Sequence, residues 1–239
     1  MRKSQKPAHT NPFLQFPKQR KPLPQAYQAI YEKHYIENRG GKTKASFLAS
    51  KLESWLHYQV AKSAAPDLKT LEIGAGTLNQ LQYEKTQYYD IVEPFEILYK
   101  TSPYLSRINN IFADLKDITQ EQMPQNGYDR IISIATFEHI TDLPTVVAKT
   151  CTMLNPNGTL HVSIPNEGRY MWELAYTLTT GAEFKKRYGL DYKTLMQYEH
   201  CNTADEIEDI LKYFYKNVQT KLFGFSKSFA LYRYYCCRL

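Results

Sequence analysis

The 239-residue chain is 43% hydrophobic and 23% charged, the profile of a folded soluble protein long enough to bury one sizeable core. It has no apolar run long enough to span a bilayer and no apolar stretch behind its basic N-terminus, so no transmembrane helix and no secretory signal are predicted, and a cytoplasmic location is expected. The net charge of +6 lies entirely within residues 1–31, which carry Arg2, Lys3, Lys6, Lys18, Arg20 and Lys21 and no acid; the remainder is balanced, so a nucleic-acid partner is not expected.

Residues 1–24, punctuated by Pro7, Pro12, Pro17, Pro22 and Pro24, are predicted as a flexible basic arm, either solvated or touching an anionic surface. A single domain over residues 25–239 follows. From Gln25 to Tyr35 the spacing of Ala26, Ile30, Tyr31 and Tyr35 suits a helix, interrupted by Gly40-Gly41. Gly41-Lys42-Thr43 has the look of a phosphate-loop end, but Ile36 stands where the earlier glycine is needed and no strand precedes it. A long helix fits from Lys44 to about Ala64, its broad apolar face carrying Phe47, Leu48, Leu52, Trp55, Leu56, Tyr58 and Val60, with Pro66 closing it.

Thr70 to Leu81 reads as a short buried strand, a turn at Gly74-Ala75-Gly76 and a helix beginning near Thr77. Glu72, inside the strand end, suits a cationic ligand group better than a pyrophosphate, and the third glycine of a dinucleotide turn is absent. Tyr88 to Pro94 is a second strand ending in Glu93, nineteen residues after Gly74. A doubly wound sheet presents a carboxylate to ribose hydroxyls at that separation, the plainer alternative being a solvated strand-end acid. Arg107 to Phe112 is a third strand, followed by Asp114 and Leu115; such an acid suits an exocyclic amine, although acids at loop starts are common.

Tyr128 to Ile134 forms a fourth strand, with Asp142 as a helix cap beyond it. Asn155-Pro156-Asn157-Gly158 makes a turn, and Thr159 to Ile164 a fifth strand stopped by Pro165. Residues 66–165 thus form an alternating core. Residues 166–203 interrupt it with two helices separated by Thr179-Thr180-Gly181, on the side where ligands bind. Residues 204–239 resume it with a helix capped by Thr203 and two closing strands, Val218 to Phe223 and Phe229 to Tyr235. Cys151, Cys201, Cys236 and Cys237 have no C-x-x-C spacing and read as free thiols; no metal site is expected.

The ordered segments LEIGAGT, IVEPF, ADL, YDRIISIATFEHI and LNPNGTLHVSIPN resemble the class I S-adenosylmethionine-dependent methyltransferases, specifically the group of methyltransferase types 11 and 23. The resemblance covers roughly residues 69–165, with Leu78 at the place where many members have a further glycine. It implies a Rossmann-like, doubly wound α/β fold: a mostly parallel seven-stranded sheet, helices on both faces, an antiparallel C-terminal strand and the helical insert after strand five. The cofactor implied is S-adenosyl-L-methionine, leaving as S-adenosyl-L-homocysteine. By the same resemblance Glu72, Gly74, Ala75 and Gly76 face its methionine end, Glu93 its ribose and Asp114 and Leu115 its adenine, while Ser133, Ile134 and Ala135 line the pocket.

Methyl transfer from a sulfonium needs orientation, and a base only when the acceptor must lose a proton. His139 and His200 are the candidate bases, each with a plainer reading as a packing or helix-end histidine. Tyr170, Trp172, Tyr188 and Tyr192 are read as core. The insert is similar to members associated with bacterial surface-polysaccharide or lipid-carrier biosynthesis, which implies a hydroxyl of a sugar or glycan precursor as acceptor. The alternatives are N- or C-methylation of another metabolite, lipid or protein, or a non-catalytic cofactor-binding scaffold. An Asn-Pro-Pro-Tyr type motif of base-modifying enzymes is absent after strand four, where Ile134-Ala135-Thr136-Phe137 stands.

Overall fold

The computed structural model describes residues 13–31 and 44–239. Seven strands form one sheet in the order β3-β2-β1-β4-β5-β7-β6. They are β1 (Lys69–Ile73), β2 (Tyr88–Val92), β3 (Ile111–Phe112), β4 (Tyr128–Ile134), β5 (Leu154–Pro165), β6 (Asn217–Gly224) and β7 (Ala230–Arg238). β1 to β5 pair in parallel, whereas β7 runs antiparallel to both of its neighbours. The sheet reverses direction of winding beside β1, and β1 and β4 therefore open the crevice where ligands settle in such folds.

Both faces are covered, which is why the central strands read as continuous apolar runs rather than alternating ones. One face, carrying Leu71, Ile73, Ile131 and Val162, packs on α4 (Leu143–Met153) and α8 (Ala204–Phe214) through Val147, Ile207 and Leu211. The other, carrying Ile91, Ile132 and Tyr234, packs on α2 (Lys44–Ala61) through Leu56 and Val60. Thr203 caps α8 in a reciprocal capping box with Glu206. Asp142 stands at the N-cap of α4 without a side-chain cap bond.

A buried polar tether fixes α2 to the sheet. Arg130 on β4 grips Glu84 with Nη1 at 2.7 Å and Nη2 at 3.0 Å, and its other donors reach the Ser63 hydroxyl and the Val60 carbonyl. Gln80 donates to Glu84 and meets His57 of α2 at 2.9 Å.

Four local expectations meet a different arrangement. No α-helix follows the glycine turn: Leu78 is left-handed at φ 65°, and a single 3-10 turn at Asn79–Gln82 drives Gln80 and Leu81 inward instead. The third strand shrinks to Ile111–Phe112, because Leu105–Arg107 is a 3-10 turn whose arginine bonds the Leu81 and Glu84 carbonyls. β5 begins at Leu154, and Asn155 to Gly158 form an irregularity between the pairs Tyr128–Leu154 and Arg130–Thr159.

In the insert, Thr179-Thr180-Gly181 does not separate two helices. α5 (Tyr170–Tyr176) runs through a π-helical turn at Thr177–Gly181 into α6 (Ala182–Tyr188), and α7 (Tyr192–Glu199) follows. Thr177, Thr179 and Thr180 hydroxyls each bond the carbonyl four residues back, so the wide turn continues the helix instead of ending it. A helix over residues 25–31, here α1, packs on this insert through Tyr27 against Phe184 and Leu195, and the single turn after β2 is α3 (Glu96–Tyr99). Residues 32–35 of the predicted helix and the Gly40-Gly41 and Lys42-Thr43 positions lie outside the described residues.

The arm expected over residues 1–24 has its described part, from residue 13, seated on the body. Phe13 meets Tyr213 edge-on, Lys18 pairs with Glu206 at 2.7 Å and donates to the Cys201 carbonyl, and Leu23 is buried. The Lys18 charge answers an acid far along the chain, a pairing that composition alone conceals.

Candidate active site

At the C-terminal end of β1 the chain turns through Gly74 at φ 75° and Gly76 at φ 52°, both in the left-handed region. Gly74 donates its amide to the Val92 carbonyl at 2.8 Å, and its carbonyl accepts from the Thr136 hydroxyl at 3.3 Å. Thr136 occupies the space where a Cβ on Gly74 would stand. Gly74→Ala is therefore expected to combine left-handed strain of about 1–2 kcal/mol with displacement of Thr136. Thermal unfolding of the variant should shift to lower temperature by several degrees, and an unchanged midpoint would show that the loop yields freely.

A cleft of about 740 Å³ opens beside this turn. Ile73 and Gly74 form its floor, and Val92, Glu93, Pro94, Phe95, Ile97 and Leu98 one wall. Ala113, Asp114 and Leu115 follow β3 at the sheet edge, Thr136, His139 and Ile140 follow β4 on the other side of β1, and Val146, Glu199, Arg20 and Tyr31 complete the lining. Glu93 is buried, and its two oxygens accept from the Gly76 amide at 2.8 Å and the Phe95 amide at 3.1 Å. Each oxygen keeps a second lone pair for a ligand donor. Asp114 is half exposed and caps a 3-10 turn by accepting from the Lys116 amide; that bond leads the causes holding its carboxyl below the usual range. Phe95 and Ile97 are both 57% exposed beside these acids, an apolar surface on the cleft wall.

The predicted residues divide here. Gly74, Glu93, Asp114 and Leu115 line the cleft. Glu72 lies beneath the turn, 2% exposed, accepting the Tyr89 hydroxyl at 2.7 Å. Ser133 is fully buried and donates to the Ile73 carbonyl, tying β4 to β1, and Ile134 belongs to the core facing α2. Ala135, at φ 48°, is the bend that swings Thr136 over Gly74, and Ala75 packs in the same core. Gly76 reaches the site through its amide on Glu93.

Burial, opposed by the Tyr89 hydrogen bond, pushes the Glu72 carboxyl up from 4.5 to about 8. A raised folded-state value means that the folded protein keeps a proton that the unfolded chain releases. The stabilisation is then complete below pH about 4.5 and is lost as pH rises to about 8. Glu72→Gln, which retains an acceptor for Tyr89, should flatten this part of the profile. Urea unfolding across that range checks it: a wild-type curve parallel to the variant's would remove the buried neutral carboxyl.

The loop after β4 and the end of the insert meet in a cluster of imidazoles and carboxylates. Asn202 staples them by donating to the Phe137 and Ile140 carbonyls, and the Cys201 and Asn202 amides both reach the Glu138 carbonyl. His139 lines the cleft, its Nδ1 3.0 Å from the Glu199 carbonyl. His200 lies behind it, the rings in edge contact with centroids 4.7 Å apart. His200 Nδ1 is 2.7 Å from Glu167 Oε2, which also accepts from the Trp172 indole at 2.8 Å. Burial pushes His200 down, but the Glu167 hydrogen bond and the Glu138 and Glu167 charges outweigh it and its pKa is raised. Burial drives Glu138 up to about 7, against the pull of His200. Sequence reasoning found both histidines and missed Glu138 and Glu167, although Glu138 stands between Phe137 and His139 in the FEHI segment.

Of the aromatic residues read as core, Tyr192 is buried and Trp172 packs on the core facing α2, whereas Tyr170 is exposed.

A family model described as a methyltransferase domain matches residues 45–214. No curated protein sequence matches the chain. Among solved structures it is similar to a SAM-dependent methyltransferase, possible histamine N-methyltransferase, from Thermotoga maritima, at 15% identity and TM-score 0.55 over 89% of this chain and 97% of that one. It is also similar to a SAM-dependent methyltransferase from Archaeoglobus fulgidus, at 11% identity and TM-score 0.56 over 86% and 99% of the two chains. The plantazolicin methyltransferase BpumL, solved with a monoazolic desmethylPZN analog and SAH, matches at 16% identity and TM-score 0.58 over 90% and 93%.

Proposed function

The chain belongs to the methyltransferase-domain family, and from that premise we propose that it transfers a methyl group from S-adenosylmethionine to a hydroxyl of a small acceptor, a sugar or glycan precursor. The observation that carries the hydroxyl reading is the imidazole–carboxylate cluster that reaches the cleft through His139. An alcohol loses its proton on methylation, and a group to take or weaken that proton is useful there.

The residues present fit an adenosyl group. Glu93 offers spare lone pairs to a diol, Asp114 offers a carboxylate to an amine, and Phe95, Ile97 and Leu115 offer apolar walls to a ring. Gly74, Ala75 and Gly76 would lie against the methionine end, with Glu72 behind them. Ser133, Ile134 and Ala135 would support that wall from β4. When bound, S-adenosylmethionine supplies a methyl carbon on a cationic sulfur, open to in-line displacement.

The chain then orients the acceptor and manages its proton. The Glu199 carbonyl can only accept, so His139 Nδ1 is the donor, and a neutral ring carries its lone pair on Nε2. His200, held by Glu167, backs this ring. Arg20 donates to the His139 carbonyl at 2.6 Å and lines the cleft from the N-terminal segment.

Transfer of labelled methyl to a panel of hydroxylated sugars, beside amine and activated-carbon acceptors, tests the reading. Label in an ether product, with turnover reduced about 100-fold or more in His139→Ala, is expected. Label only on nitrogen or carbon would overturn the hydroxyl assignment and leave the methyltransferase standing.

A further inference from the structure

The cluster at the acceptor end holds more than a proton-handling pair requires. Glu138, His139 and His200 each offer a ligand atom, all within 4.8 Å of one another. Glu138 is 1% exposed, and its Oε2 has no hydrogen-bond partner among the described residues. A buried carboxylate oxygen left without a partner costs about 1–3 kcal/mol, and more if charged, unless something outside the chain satisfies it. His139 Nε2 stands 3.9 Å from Glu138 Oε1.

The surroundings of both imidazoles have the form that metal-binding histidines take. His139 Nδ1 donates to the Glu199 carbonyl, and His200 Nδ1 to Glu167 at 2.7 Å. With Nδ1 engaged in this way, Nε2 is the nitrogen that each ring would turn to an ion, and Glu167 is itself oriented by the Trp172 indole. We propose that Glu138, His139 and His200 bind one divalent first-row transition-metal ion, with Glu167 and the Glu199 carbonyl orienting its histidines.

Two imidazoles and one carboxylate select such an ion over Mg²⁺ or Ca²⁺, which prefer oxygen alone. Ligands at about 2.0–2.2 Å from a shared ion lie about 3–3.5 Å apart, so the side chains must close by about 1 Å on loading. Three protein ligands leave coordination positions open toward the cleft that His139 lines. On the hydroxyl reading above, on which this role rests, the acceptor oxygen enters an open position. The ion lowers the hydroxyl's pKa and fixes its direction, and the proton passes to solvent. The His139 electron pair then serves the ion, not the proton.

Chelator-stripped protein titrated with Co²⁺, read by its visible absorption, tests the site without acceptor or turnover. One equivalent should bind and be removed by chelator. Glu138→Gln and His200→Gln should abolish the spectrum at unchanged circular dichroism, and Glu167→Gln should weaken binding about 10–100-fold. Absence of stoichiometric Co²⁺ binding in folded wild-type protein, or equal binding by the Glu138→Gln and His200→Gln variants, would overturn the proposal. Titration of the same samples with S-adenosylmethionine separates the outcomes: cobalt binding without cofactor binding keeps the metal site and removes the transferase reading, and the reverse removes only the metal.

Discussion

Glu93→Ala should abolish measurable S-adenosylmethionine binding, or weaken it by about 100-fold or more, in a protein that still folds. The carboxylate is already held by the Gly76 and Phe95 amides, which aim its remaining lone pairs into the cleft. A hydrogen bond from a hydroxyl to a charged acceptor contributes about 1.5–3 kcal/mol, and a diol makes two. Truncation also frees the Gly76 amide, loosening the glycine turn. Calorimetric titration of the variant, with circular dichroism to establish folding, reads the effect. Wild-type affinity in a folded Glu93→Ala protein would remove the ribose assignment.

The largest loss of stability is expected from Arg130→Met. Arg130 and Glu84 are 1% and 0% exposed at the side chain, and the guanidinium also satisfies Ser63 and the Val60 carbonyl at the end of α2. Removing one partner of a buried pair leaves the other as an unpaired charge, at a cost of about 3–5 kcal/mol. The double variant Arg130→Met with Glu84→Met removes both charges and should recover a large part of that loss. Denaturant unfolding of the two singles and the double closes the cycle. If Arg130→Met alone unfolds at the wild-type midpoint, the tether does not hold α2 to the sheet.

The sheet was legible because its strands are buried on both faces and punctuated by glycine, proline and acid. The Ile131-Ile132-Ser133-Ile134 run and the Gly74-Ala75-Gly76 turn signal a parallel strand and its crevice with no further information. Glu93 was legible by its distance from that turn, and the structure brings it to the cleft against Gly76. The helix expected at Thr77 fails for a local reason: Leu78 takes a left-handed conformation, and Gln80 turns inward to meet His57 and Glu84, partners remote in sequence. The insert misled through composition. Threonines and a glycine mark a break in most contexts, but here the hydroxyls bond back along the helix and carry it through a π turn.

The polar cluster shows the other limit. His139 and His200 were visible as residue types, but Glu138 looks like a solvated helix acid and Glu167 like a loop acid. Only the Asn202 staple and the return of the insert onto the loop after β4 bring the four together. Metal patterns read from sequence depend on short, regular spacing, which ligands from two distant segments do not have. The anchoring of Lys18 and Arg20 was hidden likewise, since their acceptors, Glu206 and the His139 carbonyl, lie across the fold.

The most direct measurement is calorimetric titration of the purified wild-type protein with S-adenosylmethionine and, separately, with S-adenosylhomocysteine. One site binding both ligands, with the affinity lost in Glu93→Ala, is the expected result. A well-folded protein that binds neither would contradict the assignment of the cleft between the glycine turn, Glu93 and Asp114 as the seat of the methyl donor.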